Sequence, residues 1–183
     1  MWLATVGAKF HPEDVKPNVV VPYAETNGTS AILDAVKLNL ANQGLVPRMV
    51  KMERTYSYDR LFRELWAKQQ PFILVEHDIV PWPGALAQLW KCPEPWCGFH
   101  YYVNGELRSY LGCTKFDPAS LGECPLPKDV VEWQTMDQTI EKELAKRSIP
   151  GHIHRPPVTH LNFFHARMTH SSALHPDFWT EYK

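Results

Sequence analysis

The run Phe72-Ile73-Leu74-Val75, followed at once by Glu76-His77-Asp78, constrains this chain more than any other feature. Four consecutive apolar residues read as a strand covered on both faces, the mark of a parallel sheet in an α/β fold. The residues before it agree. Val19-Val20-Val21 is a second apolar run that ends at Pro22 and leads into the loop Tyr23-Ala24-Glu25-Thr26-Asn27-Gly28. Ile32, Leu33, Val36 and Leu40 share one helix face, and Gly44 stops that helix. Residues 45–52 suit a second strand with Met49-Val50-Lys51-Met52 as its core. Ser57 is placed to cap a further helix with Leu61, Phe62, Leu65 and Trp66 as its buried stripe and Pro71 at its end. Strand–helix–strand–helix–strand implies a mostly parallel central sheet with flanking helices and right-handed crossovers.

The pattern then changes. Pro83 can open a short helix through Trp90, and residues 96–103 and 107–116 read as strands around the turn pair Asn104-Gly105. This is a small antiparallel portion. Thr135-Met136-Asp137-Gln138 matches a capping box, so a helix is expected from Thr135 to about Arg147. Residues 151–183 read as loop and short strand. With no repeat, low-complexity stretch or linker, residues 1–183 are expected to form one α/β domain of Rossmann-like type.

Composition excludes several classes. Hydrophobic residues are 44% and charged residues 21%, which is a folded globular balance. A net charge of −1 supplies no general field toward nucleic acid or an anionic membrane, although Lys142, Lys146, Arg147, Arg155 and Arg167 form a candidate local basic rim. No apolar run approaches the ~20 residues of a membrane span. Met1-Trp2-Leu3-Ala4 lacks the features of a signal peptide, so a cytoplasmic location is expected. Seven Trp suit either stacking on flat ligands or filling a core. Cys92, Cys97, Cys113 and Cys124 contain no C-x-x-C pair; Cys92 and Cys97 with His100 make a loose zinc knuckle, against the alternative of four reduced thiols. His160, His165, His170 and His175 recur every five residues, a spacing that neither helix nor strand gathers on one face.

Glu76 and Asp78 carry the functional reading. Two residues apart on a strand, both carboxylates are expected on one side, with His77 opposite. They stand at the C-terminal end of a buried strand, where open α/β sheets bind ligands. Adjacent carboxylates repel, and a divalent cation such as Mg²⁺ or Mn²⁺ relieves that repulsion while keeping coordination places for phosphate oxygens.

Glu76-His77-Asp78 after an apolar strand resembles the acidic D-x-D-type motif of GT-A glycosyltransferases, with Glu in the first acidic position. Residues 19–27 resemble the family's first strand and nucleotide loop, and Leu111-Gly112-Cys113-Thr114 resembles its small-residue segment beside the donor sugar. Met136-Asp137 resembles the x-E-D motif with only its Asp kept, and His160 in Val158-Thr159-His160-Leu161-Asn162 resembles the later metal-binding histidine. The resemblance covers roughly residues 18–162 and implies a GT-A fold and a metal-dependent transfer of a sugar from a nucleotide-diphosphate sugar, with a UDP-sugar the expected donor. It implies Asp78, Glu76 and His160 around Mn²⁺ or Mg²⁺, Asp137 as catalytic base where the enzyme inverts rather than retains configuration, and Pro22, Tyr23, Glu25, Thr26, Asn27, Glu53, Glu76 and Gly112 around the donor. The chain is short for that family, like its compact bacterial and phage members, some of which modify hydroxymethylated DNA bases. The acceptor hydroxyl is therefore expected on a saccharide, a small molecule or DNA.

Two other readings compete. A nucleotidyltransferase on a similar sheet usually carries a Gly-rich basic loop after its first strand, whereas residues 23–30 hold one Gly and no Lys or Arg. A non-catalytic zinc or His-rich binding module would use the Cys and His residues instead.

Overall fold

The computed structural model describes residues 16–24, 29–54, 56–103, 106–108, 111–149 and 151–161. Two strand–helix units and a third strand come first: β1 Asn18–Tyr23 and α1 Thr29–Asn42, β2 Arg48–Lys51 and α2 Ser57–Ala67, then β3 Phe72–Val75. β4 Ile79–Val80 and α3 Ala85–Lys91 follow, then β5 Trp96–Val103, β6 Glu106–Arg108, β7 Cys113–Phe116, α4 Pro118–Leu121, α5 Trp133–Lys146 and β8 His152–His160. The sheet order is β2-β1-β3-β7-β5-β8-β4, with β6 paired to β5. β1 pairs in parallel with β2 and β3, and β5 with β8. β7 runs antiparallel between β3 and β5, as β6 does to β5 and β4 to β8. Most strands thus share one direction, and the result is a mixed α/β Rossmann-like fold.

Alternation along the strands explains why the two apolar runs are buried on both faces. Val19, Val21, Ile73 and Val75 pack into one core with Ile32, Val36 and Leu40 of α1 and Leu86 and Leu89 of α3. Val20, Phe72 and Leu74 face the other core, which Leu61, Phe62 and Leu65 of α2 and Met136, Ile140 and Leu144 of α5 complete. Successive side chains of a strand point to opposite faces, so each short run serves two helix layers. Trp66 and Trp96 belong to the second core, and Trp96 stacks on Phe116 at 6.1 Å between centroids. Those tryptophans fill the interior rather than a ligand surface. After α1 the chain reverses through Gly44 at φ 77°, the left-handed conformation that glycine adopts at least cost.

Four expectations change. The helix foreseen from Thr135 starts at Trp133, with Glu132 before it and no side-chain cap. The hydroxyl of Thr135 donates to the Glu132 carbonyl instead of accepting a helix N–H, so the capping box does not form. Ser57 is the first residue of α2, not its cap; its hydroxyl accepts the backbone N–H of Arg54 at 3.1 Å. Residues 107–116 are not one strand, because Leu111 and Gly112 turn between β6 and β7. Residues 152–160 form a long strand rather than loop and short strand. Pro156 and Pro157 argue against a regular strand, yet β8 takes them where its register with β5 shifts between the pairs Phe99–His154 and Tyr101–Val158. Residues in such a bulge need not donate to the ladder. Asn104 and Gly105, Arg167 and the histidines after His160 lie outside the described residues.

Candidate functional site

The C-terminal ends of β1, β2 and β3 open into a cleft of about 320 Å³ lined by Pro22, Tyr23, Ala24, Met52, Glu53, Arg54, Tyr58, Glu76, His77 and Asp78. This is the edge at which parallel sheets bind ligands. The rim is held by the backbone: Met52 N–H donates to the Tyr23 carbonyl at 2.7 Å, joining the ends of β1 and β2. Glu76 N–H donates to the Gly112 carbonyl at 2.8 Å, joining the end of β3 to the turn before β7.

Glu76, His77 and Asp78 are not strand residues. They form a tight turn between β3 and β4, closed by Ile79 N–H to the Glu76 carbonyl at 3.0 Å. The strand rule that put His77 opposite the carboxylates therefore does not apply, and all three residues line the cleft. Their surroundings make the two acids unlike. Burial, then the charges of Asp137 and Asp78, push the Glu76 carboxyl well above the usual range against a smaller lowering by Tyr58. Burial also opposes ionisation of Asp78, but the hydrogen bond and charge of His160, with help from His77, outweigh it and hold Asp78 below its ordinary value. His160 Nε2 lies 3.2 Å from Asp78 Oδ2.

The β4–β8 pairing brings these two together. Ile79 is opposite His160, and Leu161 N–H donates to the Asp78 carbonyl at 2.6 Å. The ring of Tyr101 stacks on the His160 imidazole, 5.5 Å between centroids and 9° between planes. Gly112 sits behind that ring: a Cβ there would come within 2.7 Å of Tyr101 Cε1. Its carbonyl supports Glu76, and its lack of a side chain leaves room for Tyr101.

Asp137 stands on the second turn of α5, half-buried beside the Leu111 backbone. The first turn of this helix holds no acid, so Asp137 lies beyond the strongest field of the helix N-terminus. Burial raises its carboxyl to about 6, against hydrogen bonding from the Leu111 backbone that lowers it. Its charge is felt by both Glu76 and Tyr58.

Of the residues singled out in the sequence, Pro22, Tyr23, Glu53, Glu76 and Asp78 line the cleft. His160, Gly112 and Asp137 reach it through Asp78 or Glu76. Glu25, Thr26 and Asn27 lie outside the described residues. Of the basic residues, Lys146 pairs with Glu143, and Arg147 donates to the carbonyls of Glu123 and Cys124. Both are at the C-terminal end of α5, about 15 Å along the helix from Asp137. Sequence reasoning passed over Arg54, Met52 and Tyr58. Tyr58 lies on the buried stripe of α2 one turn before Leu61 and Phe62, and a hydroxyl in an otherwise apolar stripe is the signal. That hydroxyl is buried beside the Glu76 carboxyl.

The donor set suits a hard divalent cation. Asp78 Oδ1 and His160 Nδ1 are buried without hydrogen-bond partners. Glu76, Asp78 and His160 do not all gather within 4.8 Å of one another, so a cation here would be held directly by Asp78 and His160, and Glu76 would act through water. The zinc knuckle read from the sequence is assembled differently: His154, not His100, joins Cys92 and Cys97.

No family model matches the chain, and no curated protein matches its sequence. Solved structures do. Protein A197 from STIV is similar over 76% of this chain and 82% of its own, at 8% identity and TM-score 0.56. A glycosyltransferase involved in the glycosylation of the major capsid of PBCV-1 is similar over 79% of this chain and 93% of its own, at 14% identity and TM-score 0.49. The likeness to A197 is one of fold. Among the described residues no helix is long and apolar enough to cross a membrane.

Proposed function

We propose that the chain is a metal-dependent glycosyltransferase that moves a sugar from a nucleotide-diphosphate sugar, a UDP-sugar in the first instance, to a hydroxyl acceptor. The observation that carries this reading is the charge of the cleft. Glu53, Glu76 and Asp78 line it, Asp137 stands behind Glu76, and Arg54 is the only Lys or Arg among the described lining residues. The carboxylates oppose entry of a diphosphate, and a cation between the two would relieve that opposition. Bound Mn²⁺ or Mg²⁺ would supply charge neutralisation for the departing diphosphate.

The chain's own residues do the remainder. Asp78 and His160 hold the metal position, each fixing the other through their hydrogen bond. Pro22, Tyr23 and Met52 offer the apolar surface for a flat base, and Arg54 can meet a phosphate. Asp137, raised to about 6, is ionised at neutral pH yet basic enough to take the acceptor's proton as the hydroxyl attacks. GT-A resemblance in the order of these segments supports the same assignment. The acceptor is a saccharide or small molecule in this reading; Lys146 and Arg147, occupied at the far end of α5, lend no support to DNA.

The test is calorimetric binding of UDP and of UDP-sugars with Mn²⁺, with Mg²⁺ and with EDTA, followed by turnover against saccharide and hydroxymethylated-DNA acceptors. Metal-dependent binding that Asp78→Asn abolishes is expected. Metal-independent binding, or no nucleotide binding at all, would overturn the reading, and transfer to DNA alone would move the acceptor to the nucleic-acid class.

A further inference from the structure

A second constellation lies at the opposite end of β5 from Tyr101, away from the cleft. The segment Cys92-Pro93-Glu94-Pro95-Trp96-Cys97 joins α3 to β5, with Cys92 ending the helix through its N–H to the Leu89 carbonyl. Cys97 is in register with His152 of β8, and Phe99 with His154. Residues two apart share a strand face, so Cys97 and His154 come to the same side of the sheet. The thiols of Cys92 and Cys97 and a ring nitrogen of His154 lie within 4.8 Å of one another, all three residues buried. His154 Nε2 is enclosed without a hydrogen-bond partner. The ring of His152 meets that of His154 edge to face at 4.4 Å.

We propose that Cys92, Cys97 and His154 bind a structural Zn²⁺, with His152 in the fourth position. Two sulfurs and two imidazoles are the soft, tetrahedral set that zinc takes and that Mg²⁺ or Mn²⁺ avoids. Bond lengths near 2.3 Å to sulfur require sulfurs about 3.8 Å apart, so the three-residue cluster, whose ligand atoms lie within 4.8 Å of one another, closes by at most about 1 Å, and the exposed His152 ring turns in to complete it. Charge also balances. Two Cys–SH groups release two protons to solvent as two S–Zn bonds form, and two thiolates cancel the ion's charge. The nearby cation, Lys115, is buried and donates to the Cys92 carbonyl, so its ammonium is directed at a backbone oxygen. The site would tie the end of α3 to β5 and β8 in a stretch where Pro93 and Pro95 leave few backbone donors.

The test is metal analysis of the whole chain, expressed with zinc, desalted and rinsed briefly with EDTA. About one zinc per chain is expected, and roughly tenfold less in Cys97→Ser and His154→Ala. Asp78→Asn should keep its zinc, which separates this site from the cleft. Should the variants fail to fold, Co²⁺ exchanged into the wild-type chain reads the ligands directly, through a thiolate-to-cobalt absorption band and the visible bands of tetrahedral cobalt. Wild-type protein with no zinc, a cobalt spectrum lacking the thiolate band, or a Cys92–Cys97 disulfide by mass spectrometry would each overturn the proposal.

Discussion

His160 Nε2 lies 3.2 Å from Asp78 Oδ2, yet the two residues are brought together from distant parts of the chain by a two-residue strand. β4 follows the acidic turn directly, and its pairing with β8 puts His160 beside Asp78. The imidazole is further fixed by the Tyr101 ring. A histidine that bonds a metal-binding carboxylate orients it and tunes its basicity, and in the proposed site His160 would also offer its unpartnered Nδ1 to the cation.

His160→Ala should therefore weaken Mn²⁺-dependent UDP binding by roughly 10–100-fold, while Asp78→Ala should abolish turnover. Calorimetry at matched Mn²⁺ concentrations measures the first. An unchanged affinity in His160→Ala would remove the histidine from the site.

Gly112→Ala reaches the same imidazole from behind. The new methyl would lie 2.7 Å from Tyr101 Cε1 and 3.1 Å from Ile79 Cγ1. One of the two must shift, and both neighbour the Asp78–His160 pair. The expected result is a loss of about 1–3 kcal/mol in stability together with weaker metal-dependent nucleotide binding. Denaturant unfolding and calorimetry on the same preparation read both. Loss of stability with full binding would show that Tyr101 does not position His160.

How far the sequence reaches can be followed through these residues. Phe72 to Val75 announces β3 because four apolar residues between a proline and two acids admit few other structures. Glu76 and Asp78 are legible for the same reason. Tyr101 and Gly112 as supports of His160 are not, since that relationship arises from β5, β7 and β8 converging, and no local pattern encodes strand convergence. β8 was obscured by Pro156 and Pro157, whose tolerance depends on a bulge defined only by its partner strand. Asp137 is legible as an acid near a helix start, but the burial that raises its carboxyl is not, because it arises from tertiary packing.

Asp59 offers a check on the scaffold apart from the chemistry. It is buried in α2, pairs with Arg63 at 2.9 Å and accepts the Val131 N–H at 3.2 Å. Arg63 also donates to the carbonyls of Pro127 and Asp129, so the pair fastens the loop before α5. Asp59→Ala leaves a buried N–H unpaired and frees the guanidinium. A cost of about 2–3 kcal/mol is expected, tempered because Arg63 is one-third exposed. Urea unfolding measures it, and a change below about 0.5 kcal/mol would mean the loop is held by other contacts.

Asp137 links stability to catalysis, with opposite signs. Its ordinary pKa of 3.8 becomes about 6 in the native protein. Between those values the native state holds a proton that the unfolded chain has released, so raising the pH through that window favours unfolding. The penalty is complete above about pH 6 and amounts to about 3 kcal/mol at most. Glu76 adds a penalty of the same sign, part of it caused by the charge on Asp137. Metal-free protein should therefore be more stable at about pH 5 than at about pH 8. Asp137→Asn removes the ionisation and relaxes Glu76, so it should stabilise the metal-free chain at the higher pH and change little near pH 4. The same variant should lower kcat by about 10²–10⁴-fold with donor affinity retained, because an amide cannot accept the acceptor's proton. In wild-type protein the acidic limb of the kcat profile should then fall near pH 6, and the residual activity of Asp137→Asn should lack it. Equal stability of the two proteins at high pH would contradict the buried, proton-retaining carboxyl; full activity of the variant would end the role of Asp137 as base.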